Sequence, residues 1–291
     1  MNGRYAPSPT GDLHIGNLRT GLLAWAFARR EGLDFHIRME DLDERSRAEF
    51  YSRQLNDLAS VGIDWDGDVL YQSTRGDRYT EIFEDLLERG LLFECYCTRR
   101  ELAEVASAPH RPPGSYPGTC RNLTEAERDA GRAKLTGMSR GPAYRLKTNA
   151  DALPVADRIA GQYTGVVDDF VIRRGDGAYS YNYVAVVDDG DFDITQIVRA
   201  DDLLSSTPRQ VYLQRLLGFE TPEYIHVPLA VNREGVRLAK RDGAVTLGDL
   251  AEFGWTASDV RALLLDSLGL PSDAEPVDIS PEAIPREPWL V

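Results

Sequence analysis

Apolar positions near the N-terminus follow two different periods. Residues 2–9 form a strand-like segment that ends in a loop with Pro7 and Pro9, and residues 34–40 alternate as a strand does. Between them, apolar residues recur at helical spacing up to Arg30, and Gly32 follows as a stop. The helical stripe consists of Leu18, Leu22, Leu23, Ala26 and Phe27. Strand, loop, helix and strand in this order predict a βαβ unit, and therefore an α/β fold with a parallel sheet.

Helical periodicity returns several times along the chain. It covers residues 44–62, 75–92 and 122–135. For the second of these helices, Thr74 is a candidate N-cap and Gly90 a candidate stop. Another helix is predicted after Ser206 or Thr207 as cap, with Pro208 at its first position. A helical tail is expected after the charged loop that follows Val231.

Strand-like segments also occur in the second half of the chain. Residues 166–187 alternate and predict β-structure, with a hairpin at residues 175–177. Residues 194–204 are typical of a strand that runs into a helix, and PLAV, residues 228–231, is a short strand-like segment. The sequence shows neither an internal repeat nor a low-complexity tract.

Composition narrows the class of protein. The chain has 291 residues, 42% of them hydrophobic, which suffices for one large core or a few smaller ones. No apolar run approaches 18 residues and no secretory signal is recognisable, so we expect a cytoplasmic protein. The net charge of −14 argues against a nucleic-acid partner unless basic residues are concentrated locally. Only three of the 33 basic residues are lysines: Lys134, Lys147 and Lys240.

The loop APSPTGDLHIGN, residues 6–17, joins the first predicted strand to the first helix. Glycines at such a junction allow a phosphate to approach the helix start, where free N–H groups and the helix dipole favour anions. The spacing matches neither the dinucleotide-binding G-x-G-x-x-G nor the lysine-bearing phosphate loop. The loop alone predicts an anion site or an ordinary βα connection.

The segments PSPTGDLHIGN and RYAPSPTG resemble the "HIGH" motif and the opening of bacterial glutamyl-tRNA synthetases, which are class I aminoacyl-tRNA synthetases. This resemblance implies a Rossmann-like catalytic domain. It places His14, Gly16 and Asn17 at the ATP site, with His14 and Asn17 stabilising charge on the transferring group. Since the substrate carboxylate itself attacks the α-phosphate, no nucleophile from the protein is needed.

The same resemblance implies a site for the amino acid. Glu40, in the acidic segment RMEDLDERS, takes the position that binds the α-amino group, although a charge run by itself indicates a solvated face. Tyr181, expected on a strand, and Arg199 take substrate positions, and Arg4 and Arg199 are available to a side-chain carboxylate. This arrangement predicts glutamate rather than glutamine. The remaining implied glutamate contacts are Ala6 and Ser8.

The basic loop VRLAKR, residues 236–241, resembles the "KMSKS" motif of the family. Arg237 stands in place of the first lysine and Ala239 in place of the serine. Lys240 is retained, and the resemblance implies that it binds ATP phosphates and takes part in catalysis. A surface turn and a weak phosphate-binding patch are the alternatives when the loop is considered alone.

The three cysteines, Cys95, Cys97 and Cys120, are an odd and clustered set, which argues against a disulfide framework. Three thiolates and one further ligand suit a tetrahedral zinc ion, and buried small residues are the alternative. The C-x-C…Y-x-x-x-C pattern resembles the insertion of one subgroup of the family, which implies Tyr116 as the fourth ligand. His110 competes for that place. His36 and His226 lie in strand-like segments and are interpreted as structural.

The length of the chain bears on function, because a full glutamyl-tRNA synthetase continues into a helical anticodon-reading domain and only 50 residues follow Arg241 here. The resemblance therefore favours the truncated branch of the family. That branch activates glutamate with ATP and Mg²⁺ and esterifies the queuosine base in the anticodon loop of tRNA(Asp). We expect one structural zinc ion, no membrane association and a monomer. The alternatives are an enzyme that charges tRNA(Glu) and a non-catalytic RNA-binding paralogue.

Four segments are predicted. Residues 1–88 and 177–232 form the two halves of the Rossmann-like domain. Residues 89–176 form an inserted, zinc-bearing subdomain. Residues 233–291 hold the KMSKS-type loop and a short helical region, with no anticodon-binding domain.

Overall fold

The computed structural model of the chain describes residues 1–98, 100–102, 115–232, 234–236, 238, 245–275 and 278–291. Four residues on which sequence predictions depend lie outside these ranges: His110, Arg237, Ala239 and Lys240.

The predicted βαβ unit is present. Its strands are β1 (Asn2–Tyr5) and β2 (Asp34–Met39), which pair in parallel, and α1 (Ile15–Arg30) connects them. The apolar stripe of α1 is fully buried, with Leu18, Leu22 and Phe27 all at 0% exposure. A Cβ atom on Gly3 would lie 2.8 Å from the Cβ of Ala28, so only glycine allows α1 to pack this closely on β1.

A seven-stranded sheet forms the centre of the fold. The further strands of the described chain are β3 (Leu70–Tyr71), β4 (Leu92–Cys95), β5 (Ala143–Leu146), β6 (Ala152–Asp157), β7 (Gly161–Val166), β8 (Val171–Arg173), β9 (Ile194–Ala200), β10 (Glu223–Val227), β11 (Ala230–Val231) and β12 (Trp289–Leu290). The order in the large sheet is β3-β2-β1-β9-β10-β6-β7, and β6–β7 is its antiparallel pair. The α/β class with a largely parallel sheet is therefore confirmed.

A second, antiparallel sheet of β4, β5 and β8 lies within the segment predicted as an insertion. Strand β6 of the same segment pairs with β10, so the insertion also extends the large sheet. The division into four segments remains a prediction.

The helices that follow α1 in the described chain are α2 (Ala48–Ser60), α3 (Gly76–Glu88), α4 (Glu125–Thr136), α5 (Tyr181–Asp191), α6 (Thr207–Leu217), α7 (Leu247–Glu252) and α8 (Ala257–Asp266). Each predicted helix is present, although α2 begins four residues later than expected. None of the helices described is long and apolar enough to cross a membrane.

Two sequence predictions are wrong in detail. The segment that begins at Tyr181 is helical, not a strand; its apolar run is buried on several sides, which hides the helical period. Thr74 does not cap α3, because it lies in a 3₁₀ turn, Gln72–Arg75, and its hydroxyl donates to the carbonyl of Tyr71 at 2.8 Å.

Candidate active site

A cavity of about 890 Å³ opens at the carboxyl ends of β1, β2 and β9, beside the start of α1. This edge is where open α/β sheets bind ligands. Eight predicted site residues line the cavity: Arg4, Ala6, Ser8, His14, Asn17, Glu40, Tyr181 and Arg199. The sequence prediction thus selected residues from four separate segments that the fold brings to one cavity.

The start of α1 is shaped by a reciprocal cap. The backbone N–H of Asn17 donates to Nδ1 of His14 at 3.2 Å, and the backbone N–H of His14 donates to Oδ1 of Asn17 at 3.4 Å. With Nδ1 as acceptor, a neutral His14 carries its proton on Nε2, which makes that nitrogen a hydrogen-bond donor. A Cβ on Gly16 would lie 2.9 Å from the Cβ of Ala230, so the helix start tolerates no larger residue there without displacement.

The loop of residues 6–17 is held in shape by Gln54 of α2. This residue was not predicted from the sequence. Its side-chain amide donates to the carbonyls of Ser8 at 3.1 Å and Gly11 at 2.6 Å. Gln54 is fully buried. The loop conformation therefore depends on a side chain that is distant in sequence.

The C-terminal region contacts the same helix start. The backbone N–H of Ile15 donates to the carbonyl of Val245 at 3.0 Å, and His14 forms a β-bridge with Thr246. Leu238 lines the cavity. On one side of the predicted Lys240 loop Leu238 thus lies at the cavity, and on the other side Val245 and Thr246 contact the helix start beside it, while Lys240 itself lies outside the described residues.

A buried ion-pair network supports the cavity from below. Arg4 binds Asp189 through two nitrogens, Nε at 3.1 Å and Nη2 at 3.3 Å. Arg38 binds the same carboxylate through Nη1 at 2.5 Å, and its Nη2 lies 3.2 Å from Oε1 of Glu40. Arg4, Arg38 and Asp189 are at most 5% exposed. The network therefore fixes the cavity ends of β1 and β2 to α5.

The acids of this network have opposite pKa shifts. Burial by itself raises the pKa of Asp189, but the guanidiniums of Arg38 and Arg4 outweigh it and bring that pKa down to about 2. For Glu40, burial is the largest effect and raises the pKa, with Arg38 and Arg4 acting in the opposite direction. Asp189 is thus ionised at neutral pH, whereas burial disfavours the charge of Glu40, and a cationic ligand would offset that effect.

The neighbouring Asp188 joins α5 to the N-terminal end of α3. Its carboxylate accepts from Nε2 of Gln72 at 2.7 Å, from Nε of Arg75 at 2.6 Å and from the hydroxyl of Tyr79 at 2.9 Å. No role was predicted from the sequence for Asp188 or Asp189. The sequence did contain a signal for such a role, namely two adjacent acids directly after an apolar run. A carboxylate in a buried segment is expected to have a partner, because unpaired carboxylates are rarely buried.

Arg199 is held by three acceptors, one on β10 and two on α6. Its Nε donates to Nε2 of His226 at 3.0 Å, Nη1 to Oε1 of Gln210 at 2.7 Å, and Nη2 to the hydroxyl of Thr207 at 2.8 Å. Each partner takes one N–H, so two of the five guanidinium N–H groups remain for a ligand. Two N–H groups are what a carboxylate needs for a two-point contact.

A second cluster lies at β4, away from this cavity. The Sγ atoms of Cys95, Cys97 and Cys120 lie within 4.8 Å of one another, and the Cys97–Cys120 separation is 3.6 Å. Ligand sulfurs at tetrahedral corners around zinc lie about 3.8 Å apart, given Zn–S distances of about 2.3 Å. The hydroxyl of Tyr116 lies 3.4 Å from Sγ of Cys95. The four predicted ligands are therefore together, in an arrangement that fits zinc.

Comparison with known proteins places this geometry in a family. The family model for the catalytic domain of class I tRNA synthetases (E and Q) matches residues 1–267. A glutamyl-Q tRNA(Asp) synthetase from Nocardia farcinica is 53% identical over 292 residues, which cover 99% of this chain and 92% of that protein. A protein of the same name from Cutibacterium acnes is 46% identical over 284 residues, or 95% of this chain and 78% of that protein.

A solved structure shows the same fold. The crystal structure of a glutamate tRNA ligase from Elizabethkingia meningosepticum, in complex with its amino acid, matches with a TM-score of 0.79 at 23% identity. The match covers 100% of this chain and 66% of that one.

Proposed function

The chain belongs to the glutamyl- and glutaminyl-tRNA synthetase family of class I, and we propose that it activates L-glutamate with ATP and transfers it to queuosine in the anticodon loop of tRNA(Asp). Membership of the family implies glutamate, ATP with Mg²⁺ and tRNA as partners. The observation that carries the proposal is the convergence of Glu40, Arg4 and Arg199 in one cavity beside the His14 helix start. The names of the most similar relatives support the choice of RNA.

We propose that the charges of the cavity select glutamate. Glu40 binds the α-ammonium group, which compensates for the burial that raises its pKa. Arg199 offers its two remaining N–H groups to the side-chain carboxylate. Arg4 contributes Nη1, because Nε and Nη2 are engaged by Asp189. Ala6, Ser8 and Tyr181 complete the amino-acid site.

In the proposed first step, the α-carboxylate of glutamate attacks the α-phosphorus of ATP and pyrophosphate leaves. His14 donates from Nε2 to the phosphates, and Asn17 and the N–H groups of the helix start face the same charge. The resemblance also assigns Gly16 to the ATP site, although its missing Cβ leaves room for Ala230 and for the ring of His14. Lys240 is assigned a phosphate contact on the sequence motif alone. Mg²⁺ neutralises phosphate charge when it is bound with ATP.

In the proposed second step, a hydroxyl of queuosine attacks the carbonyl carbon of glutamyl-adenylate, an ester bond forms, and AMP leaves. The enzyme supplies position and charge rather than a covalent intermediate. We propose that the chain acts as a monomer in the cytoplasm. We also retain the four-segment division at residues 88, 176 and 232 as part of this proposal.

We further propose that Cys95, Cys97, Cys120 and Tyr116 hold one structural zinc ion. Three thiols and a phenol within ligand distance of one another fit a tetrahedral site. When bound, zinc would join β4 to the segment before α4. The backbone N–H of Cys120 donates to the hydroxyl oxygen of Tyr116 at 2.8 Å, which orients that oxygen toward the cluster.

The experiment that tests the function measures transfer of labelled glutamate to purified tRNA. We expect label on tRNA(Asp) that carries queuosine, and none on tRNA(Asp) that lacks it. Label at the 3′ end of tRNA(Glu) would instead identify a tRNA(Glu)-charging enzyme. Absence of glutamate-dependent pyrophosphate exchange, with and without tRNA, would identify a non-catalytic paralogue.

A further inference from the structure

Resting on the proposed function, we infer that His226, oriented by Asp157, is a positioning residue that sets the plane of the Arg199 guanidinium for the side-chain carboxylate of glutamate. The three residues form one buried chain from β6 through β10 to β9. Neither Asp157 nor His226 lines the cavity, so both act through Arg199.

The distances define the direction of every hydrogen bond in this chain. Arg199 has only donors, so the 3.0 Å contact between its Nε and Nε2 of His226 requires Nε2 to be the acceptor. The proton of a neutral His226 is therefore on Nδ1, which lies 2.6 Å from Oδ2 of Asp157. Asp157 thus selects the tautomer that can hold Arg199. A protonated or oppositely protonated imidazole would place two donors against each other.

Asp157 is itself fixed in position. Its Oδ1 accepts the backbone N–H groups of Ile159 at 3.0 Å and Ala160 at 2.7 Å, and its Oδ2 also accepts the backbone N–H of His226 at 3.0 Å. Both carboxylate oxygens therefore face donors only. An amide at this position would put its NH₂ group against N–H donors in either orientation.

The surroundings of His226 favour its neutral form. Burial lowers its pKa first, and the charge of Arg199 lowers it further, against the opposing effect of Asp157. Asp201 is the other charged group that acts on the ring, and the hydroxyl of Thr207 lies 3.2 Å from Nε2. The ring also stacks on Tyr224, with centroids 5.9 Å apart and planes 9° from parallel.

The fixed orientation of Arg199 determines how well the site binds the side-chain carboxylate of glutamate. With Nε, Nη1 and Nη2 each held by one acceptor, the guanidinium has a fixed plane, and its two remaining N–H groups have fixed directions. A two-point contact with a carboxylate depends on this geometry. Loss of the His226 acceptor would leave the charge of Arg199 in place while freeing its orientation.

The test compares His226→Phe, which keeps a stacked ring without an acceptor, with His226→Gln, whose amide oxygen can accept from Arg199 while its NH₂ donates to Asp157. Transfer of glutamate to queuosine-bearing tRNA(Asp) is measured at varied glutamate and varied ATP. For His226→Phe we expect the KM for glutamate to rise about 10- to 100-fold, and the KM for ATP to stay within about twofold. His226→Gln should recover most of the loss.

His36→Gln serves as the matched control, because His36 lies on β2, outside the cavity, and contacts a backbone carbonyl through Nδ1. It should leave both KM values unchanged. If His226→Phe does not fold, Thr207→Val removes the Nη2 acceptor of Arg199 without a change of shape and should raise the KM for glutamate in the same selective way.

An unchanged KM for glutamate in folded His226→Phe, or equal changes in both KM values, overturns the inference. Absence of transfer by the unmodified protein overturns the proposed function instead, so the two failures are distinct.

Discussion

Arg4 and Asp189 form a buried two-point ion pair although 185 residues separate them in the chain. The pair joins β1, the first strand of the fold, to the end of α5. Asp189 also binds Arg38, so one carboxylate balances two guanidiniums beneath the cavity. Arg4, which lines the cavity, is thus held by an acid that does not line it.

Asp189→Asn should destabilise the fold by about 3–5 kcal/mol, because it leaves buried guanidinium charge without compensation. Denaturant unfolding at pH 7 measures this. Asp85→Asn, at the exposed Arg89–Asp85 pair, is the control and should cost well under about 1 kcal/mol. Equal effects in the two variants would contradict the role given to Asp189.

Acid unfolding provides a second check on the same carboxylate. The pKa of Asp189 is lowered from 3.8 to about 2, so its contribution to stability is complete above pH 3.8 and is lost as the pH falls toward 2. The difference in unfolding free energy between the protein and Asp189→Asn should therefore shrink across that window. A difference that stays constant down to pH 2 would be inconsistent with this pKa.

His14 combines a cap with a predicted phosphate contact, and two substitutions separate these roles. His14→Ser retains a good capping residue but is too short to reach a phosphate, while His14→Ala loses both functions. Pyrophosphate exchange should fall by about 100-fold in both variants. Only His14→Ala should also lose stability, by about 1 kcal/mol. Near-normal exchange by His14→Ser would reduce His14 to a helix cap.

Glu40→Gln should raise the KM for glutamate roughly 30-fold, equivalent to about 2 kcal/mol for a charge-assisted hydrogen bond, and leave the KM for ATP unchanged. Burial raises the pKa of Glu40, so glutamate affinity of the unmodified protein should fall with acidification at a higher pH than an exposed carboxyl would give. The variant should lack this step. Glu44→Gln, in the same acidic segment but exposed, is the control.

Local signals were sufficient to predict the elements that carry the first part of the site. The prolines and glycines of the βα connection and the helical period of α1 predicted the helix start, and alternation predicted the strand that ends before Glu40. The strands and the helix start depend on residues only a few positions away in the chain, so the sequence predicts them. The roles of His14 and Glu40 came from the resemblance to the family and stay predictions.

The supporting residues could not be predicted in the same way, because their roles depend on tertiary register. Arg199 finds its three acceptors on two other elements, β10 and α6, and one of them is His226, which was interpreted from sequence as structural. The strand assigned at Tyr181 failed because a helix buried on several sides loses its amphipathic period. The residues that support the site, such as His226, are therefore recognised only once the tertiary contacts are known.

The purified protein should contain about one zinc ion per chain, and Cys120→Ala should abolish it. Zinc binding stabilises a folded site, so chelation should lower the melting temperature. Tyr116→Phe and His110→Ala identify the fourth ligand: we expect the first to weaken zinc binding and the second to leave it unchanged, as measured by competition with a chelating dye. The reverse result would replace Tyr116 by His110.

Two exposed arginines, Arg45 and Arg174, are candidate contacts for RNA. Arg45 lines the cavity and binds Asp43 at 2.6 Å, and its hydrogen bonds, with a smaller effect from the charge of Arg174, lower the pKa of Asp43 to about 2. Arg174 begins the turn that leads into Tyr181. Binding of RNA phosphates requires cations, so in a chain with a net charge of −14 such exposed arginines are the residues on which RNA binding would depend.

Arg174→Gln should therefore weaken binding of tRNA(Asp) and reduce the slope of log K against log salt by about 1, with glutamate and ATP affinities unchanged. Arg89→Gln is a close control, because Arg89 is 44% exposed against 51% for Arg174, and each pairs with one exposed aspartate. The control should keep the salt slope of the unmodified protein. Identical slopes in both variants would place the RNA elsewhere, because removing a cation that binds a phosphate must reduce the number of ions released on binding.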